Sequence, residues 1–207
     1  MVNPQALLTD AEGDRIAQAV RDAERQTSGE IRVLVVAQSL LWGWLFPILC
    51  AFCASVAAGW AAFDASWGYP SPRDIAVPMG LAGAGVVLVL GSAVWFTPIR
   101  KRAVRRRAER EFVRLGIAST QGRTGVLLML SLRERMVQVL ADKAIHEKLP
   151  PSAWEETVNQ VVGEIRKGRT ADGLCQAVRS IGERLATHFP RRADDVNELP
   201  DRPETRP

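Results

Sequence analysis

Hydrophobic and polar positions follow several distinct rhythms along this chain, and each predicts a different kind of element. Thr9-Asp10-Ala11-Glu12 has the form of a capping box, with the threonine accepting from the backbone and the glutamate reaching back, so a helix is expected to start there. Ile16, Ala19, Val20 and Ala23 recur on one helical face, and Thr27-Ser28-Gly29 supplies a stop signal. Ile31 to Ala37 is apolar except for Arg32 and rich in β-branched residues, which predicts a strand covered on both faces. Two runs without any charged residue follow, Leu40–Phe63 and Ile75–Thr97. As helices each is long enough to cross about 30 Å of hydrocarbon. One central charge costs roughly 2.5–3.5 kcal/mol on insertion and each large apolar residue returns only about 0.3–0.6, so the runs predict a transmembrane hairpin.

Beyond Pro98 the pattern turns amphipathic. Val104, Ala108, Phe112 and Leu115 line one face of a polar helix expected over Ile99–Leu115, with Gly116 as its C-terminal stop. Val126–Leu132 and Met136–Ala141 read as two strands joined by a turn at Arg133-Glu134. Two helices are expected after them. One runs over about Ser152–Lys167, opened by Ser152 and Glu155 as a second capping box, and one over about Ala171–His188, with Ala177, Val178, Ile181, Leu185 and Phe189 on its apolar face. From Pro190 the chain is charged and proline-rich, the pattern of a mobile tail or a surface strap. The organisation is thus one domain in two parts, 1–39 and 99–189, separated by a hairpin over 40–98 with an external loop at 64–74, and followed by a tail over 190–207.

Charge and aromatic placement orient the hairpin. Trp42, Trp44, Trp60, Trp67, Trp95 and Phe96 sit where interfacial belts belong, and residues 1–39 lack the basic start and apolar run of a signal peptide. The linker carries one basic residue, Arg73, whereas Arg100, Lys101, Arg102, Arg105, Arg106 and Arg107 follow the second run. The positive-inside rule therefore puts both termini and the domain on the cytoplasmic side of the membrane, with those six residues at the lipid surface. No aromatic residues interleave the arginines, so nucleic acid is not an expected partner. Small residues at four-residue spacing, Cys50, Ala54, Ala58 and Ala62 in one run and Ala76, Gly80 and Ala84 in the other, suit close helix packing within the hairpin or between copies.

Candidate chemistry is sparse. With two histidines and three cysteines no zinc set assembles at usual spacings, and neither a G-x-S-x-G nor a Walker-type loop occurs. Cys50 and Cys53 form a C-x-x-C inside an apolar run, where packing is the expected role. What remains is a polar cluster at strand ends: Arg123, Arg133, Glu134, Arg135 and Asp142. A carboxylate among guanidinium groups suits phosphate or a metal-phosphate pair. The plainer alternative makes Glu134 and its arginines solvated turn residues and Asp142 a helix cap. Asp194, Asp195, Asn197, Glu198 and Asp201 hold enough oxygens for calcium, or simply form an acidic tail.

Thr27-Ser28-Gly29-Glu30-Ile31, Arg123-Thr124-Gly125-Val126-Leu127-Leu128, Glu134-Arg135 with Val137, Val139 and Asp142, and Asp172-Gly173-Leu174 occur in an order that resembles the TPM domain family, which includes a thylakoid-lumen acid phosphatase. The tail Asp195–Asp201 looks like the ending of small bacterial membrane proteins of that family. The resemblance implies an α/β fold, a small three-layer α/β/α domain with a mixed sheet, here interrupted by the transmembrane hairpin. It also implies divalent-metal binding, Ca²⁺ or Mg²⁺, by acidic residues after the third strand, where Asp142 is the matching carboxylate. Three functions follow as expectations: an accessory or assembly module for another membrane protein, a metal-dependent phosphohydrolase, and a lipid-surface sensor built on the arginine helix.

Overall fold

The computed structural model describes residues 8–39 and 98–206, together with Ala51, Ala54, Ser55 and Gly59. The chain forms two compact units, one from Met1–Ser39 with Arg102–Pro207 and the other from Leu40–Lys101. In the second, Ala51, Ala54, Ser55 and Gly59 are helical, and Ser55 Oγ donates to Ala51 O at 2.8 Å. The predicted spans 40–63 and 75–97 and the small-residue stripes otherwise lie outside the described residues. Among those described, no helix is long and apolar enough to cross a membrane.

The first unit is a mixed α/β domain. Helix α1, Asp10–Glu24, starts at Thr9 with both halves of the predicted capping box formed. Strand β1, Glu30–Val36, is buried along its whole length, which explains its near-continuous apolar sequence. Residues 102–114 form α2, and the chain reverses at Gly116, where a φ of 72° suits a residue without a Cβ. Strands β2, Gly125–Ser131, and β3, Met136–Ala141, make the expected hairpin around the Leu132–Arg135 turn. A short helix α3, Lys143–Lys148, a 3-10 turn at Pro151–Trp154, then α4, Glu155–Arg166, and α5, Thr170–His188, complete the helical set.

A short strand β4, Glu204–Arg206, joins these three, and the sheet order is β3-β2-β1-β4. β1 runs parallel to β2 with Leu34 opposite Met129, and β2 runs antiparallel to β3 with Leu128 opposite Val139. Alternation divides the apolar residues between two cores. Ile31, Val33, Val35, Val126, Leu128, Leu130, Val137 and Val139 face α1, α4 and α5, while Leu34, Val36, Leu127 and Met129 meet Val104, Ala108 and Phe112 of α2. Helices therefore cover both faces.

One expectation is corrected and one open alternative is decided. Ser152 and Glu155 form no capping box, because Pro151 opens a 3-10 turn that carries Ser152 and α4 begins at Glu155 with no side-chain cap. The region after Pro190 is a strap rather than a free tail, and it ends in a fourth strand, β4, Glu204–Arg206, parallel to β1 with Val35 opposite Thr205. Leu199 packs into the α2-side core. Arg32 drives this docking. Its side chain, 9% exposed, ion-pairs with Glu204 at 3.3 Å, donates to Arg202 O at 2.7 Å and also donates to Pro200 O. A guanidinium in an apolar strand needs such acceptors, since an unpaired buried charge is costly.

Candidate functional site

The five residues expected to cluster separate to opposite ends of the β2–β3 hairpin. Val126 pairs with Ala141 at one end and Ser131 with Met136 at the other, so Arg123 and Asp142 lie a full strand length from Arg133, Glu134 and Arg135. Strands of this length span roughly 20 Å, too far for one ligand to bridge both groups of side chains. The single-cluster expectation is therefore corrected: the antiparallel register places the residue after β3 beside the residue before β2, away from the turn.

At the first end Asp142 is a helix cap. Its Oδ1 accepts from Lys143 N–H at 2.6 Å, its own N–H donates to Gly125 O at 2.9 Å, and its carbonyl accepts from His146 N–H. Oδ2 is buried without a hydrogen-bond partner, 3.7 Å from the Arg123 guanidinium. That is ion-pair range without a hydrogen bond. Arg123 has φ 52°, an uncommon value for a residue with a Cβ, and donates to Ala118 O. A divalent cation fits poorly here. Ca²⁺ takes six to eight oxygens and Mg²⁺ demands an octahedron, whereas this end offers one carboxylate with a cation beside it. Among the described residues no group of three or more His, Cys, Asp or Glu is placed to hold a metal, the tail acids included.

At the other end the turn grips the chain at the end of β1. Glu134 is buried, and its Oε2 accepts from Ser39 N–H at 3.0 Å and from Ser131 Oγ. The Ser39 and Ser131 hydroxyls are 2.7 Å apart. Arg133 donates to Gln38 Oε1 at 2.9 Å, and its N–H bonds Ala37 O at 3.0 Å. Arg107, expected at a lipid surface, turns inward to donate to Gln38 O, and burial pushes its guanidinium below the usual range. Arg135, also at φ 52°, closes the turn. Arg100 is partly covered, while Lys101, Arg102, Arg105, Arg106 and Arg110 are exposed and Arg105 pairs with Glu109 at 3.0 Å. With Ser131 fully buried and Glu134 nearly so, this network is built to hold backbone. It clamps Gln38 and Ser39 to β2 and to α2.

A set of acids that periodicity did not reveal lies at the start of β1. Glu24 Oε1 accepts from Ile31 N–H at 2.8 Å, and burial pushes its carboxyl up to about 8, with Glu30, Asp201 and Asp195 adding to the shift. Glu30 is buried and also raised, chiefly by burial, with its Oε2 accepting from Leu199 N–H at 3.3 Å. Asp201 sits 3.6 Å from Arg21, and Glu198 accepts from Gln121 N–H at 3.2 Å. The available signal was the pair of charged residues, Glu30 and Arg32, inside an otherwise apolar strand.

A family model, described as the TPM domain, matches residues 91–184. Comparison with curated proteins finds no match. Among solved structures, the NMR structure of the BA42 protein from the psychrophilic bacterium Bizionia argentinensis matches with a TM-score of 0.60 at 22% identity, over 97% of this chain and 95% of that one. At that identity the likeness concerns the fold. The family model agrees with those of the spaced motifs that it spans, and residues 91–184 are similar to the TPM domain.

Proposed function

We propose that this chain is a membrane-anchored TPM domain that serves as an accessory or assembly module for another membrane protein, without catalysis of its own. One observation carries this: the clamp of Glu134 on Ser39 and of Arg107 on Gln38. It binds together the segment that leads into the charge-free run Leu40–Phe63 and the helix that follows Ile75–Thr97. Two membrane-crossing runs that leave a folded domain need such a fixed stem if the domain is to keep a set distance from the bilayer. The exposed arginines of α2 add attraction to anionic lipid, about 1 kcal/mol for each near the surface. Their bias supports the cytoplasmic side of the membrane as the domain's location, and the resemblance to small bacterial membrane proteins makes that membrane a bacterial inner one in this reading. Among the described residues neither sheet end gathers a set of metal ligands. Alkaline carbonate extraction of cells expressing the full chain tests the anchoring, with retention in the pellet expected and release into the supernatant refuting it. Crosslinking and pull-down from native membranes in mild detergent tests the partner, and recovery of the chain alone would count against an assembly role.

A second function, a divalent-metal-dependent phosphohydrolase, has one feature in its favour, the buried Asp142 Oδ2 without a hydrogen-bond partner beside Arg123, and one against it, the poor fit of that end to a divalent cation. Its mark would be turnover of para-nitrophenyl phosphate that needs Mg²⁺ or Ca²⁺ and vanishes in Asp142→Asn, which keeps an N-cap acceptor. Metal-independent background rates in both forms would exclude it.

A further inference from the structure

Strand order leaves β3 at one edge of the sheet, with β2 on its inner side and, among the described residues, no strand on the other. Asp142 N–H donates inward to Gly125 O at 2.9 Å, and antiparallel residues alternate between bonding inward and outward. Met136, Gln138 and Leu140 therefore bond to β2, and Val137, Val139 and Ala141 direct their N–H and C=O groups outward. The Val139 carbonyl is met by the Gln138 side-chain amide at 3.1 Å, a partner that an incoming N–H can displace. Edge strands that must remain single are usually protected by a lysine, a proline or a bulge. Met136–Ala141 has no charge and no proline, and pairs with β2 without interruption.

Beside this edge lies a groove of about 310 Å³, lined by Val137, Val139, Trp154, Glu155, Val158 and Asn159. Trp154 is buried and its indole Nε1 has no hydrogen-bond partner. Glu155 is exposed and supplies a negative charge to a lining otherwise apolar or uncharged. An edge of alternating donors and acceptors, a trough beside it that holds Val137, Val139 and Val158 among polar groups, and a carboxylate at the rim together describe an occupant.

We propose that the β3 edge is the docking site for one extended strand of a partner protein, rich in β-branched residues and flanked by lysine or arginine. The partner's backbone pairs with Val137, Val139 and Ala141, alternate side chains enter the groove against Val158 and Trp154, and the basic flank meets Glu155. This is strand addition beside a helix, in which backbone bonds supply affinity and the groove supplies selectivity. A twofold pairing of two β3 edges would bring two Glu155 carboxylates into one interface, so a basic strand is the better complement. The inference stands whether or not the chain is anchored in a membrane.

The test titrates isotopically labelled full-length chain in mild detergent with a short blocked peptide of alternating valine and threonine flanked by lysine. Saturable binding is expected, with amide shifts centred on Val137, Val139, Ala141 and the Trp154 indole. N-methylating the peptide amides along one edge is expected to weaken binding at least roughly tenfold, as loss of several paired groups should, while methylating the other edge leaves it unchanged. Glu155→Lys is expected to weaken the lysine-flanked peptide and to favour a glutamate-flanked one. Absence of saturable binding, equal loss on methylating either edge, or shifts centred elsewhere would overturn the proposal. So would concentration-dependent protection of the same amides without peptide, which would assign the edge to a second copy.

Discussion

Replacing Glu24 by glutamine should change how the stability of this domain depends on pH. The carboxyl lies at the end of α1 and satisfies the Ile31 N–H at 2.8 Å, at a position of β1 that β2 pairs but β4, which reaches only Leu34–Val36, does not. Burial, opposed by that hydrogen bond and reinforced by the Glu30, Asp201 and Asp195 carboxylates, raises it from 4.5 to about 8. A group whose folded value lies above its unfolded one binds its proton more tightly in the folded state. Its contribution is full below about pH 4.5 and is lost as pH rises through about 8. At about 1.36 kcal/mol per unit the whole span corresponds to about 4–5 kcal/mol, and partial exposure with relaxation of neighbouring acids reduces this to about 2–4 kcal/mol. Glutamine keeps a neutral acceptor for Ile31 and cannot ionise. The wild-type chain should therefore lose stability between pH 5 and 8, whereas Glu24→Gln should show a much flatter profile. The two should differ by less than about 1 kcal/mol at the acid end, and the variant should be the more stable by about 2–4 kcal/mol at the alkaline end. Denaturant titrations in one detergent across that range, followed by far-ultraviolet circular dichroism, measure this. Parallel profiles for the two proteins would show that Glu24 is ionised in the fold, and would refute the burial argument.

Deleting residues 200–207 removes Glu204 and the carbonyls that surround Arg32, so a loss of about 3–5 kcal/mol is expected, as for one partner of a buried ion pair. Arg32→Met in the same truncated chain should recover much of it, and thermal melts of the two decide. Glu134→Ala strips the acceptor from Ser39 N–H and Ser131 Oγ and should cost about 2–3 kcal/mol, with faster amide exchange at Ser39 as the local sign of a loosened stem. Gly125→Ala would put a Cβ 2.4 Å from Ile117 Cγ2 and 2.7 Å from Ile117 O, and because one neighbour is backbone a loss of about 2–3 kcal/mol or more is expected on denaturant titration. Asp142→Ala removes the cap on Lys143 N–H and should lower stability by about 1 kcal/mol in the same measurement.

What the sequence determined by itself is what neighbouring residues decide among themselves. The Thr9–Glu12 box, the buried β1, the β2–β3 hairpin, the apolar face of α2 and the turn at Gly116 all depend on periodicity, caps and glycine within a few residues. The likeness to the TPM domain was legible for the same reason, since it rests on short segments in a fixed order. The tertiary structure alone decided what depends on residues distant in the chain. Glu204-Thr205-Arg206 has no strand rhythm and becomes β4 only because β1 offers an open edge and Arg32 an unmet charge. Asp142 and Glu134 looked like one polar cluster because they are close in sequence, but an antiparallel strand carries them to opposite ends of the sheet. Glu24 gave no local sign of its raised carboxyl, because desolvation arises from α1, β1 and the strap packing together. Periodicity reports which side of an element is dry; which partners meet there, and with what charge, is set by how distant segments pack.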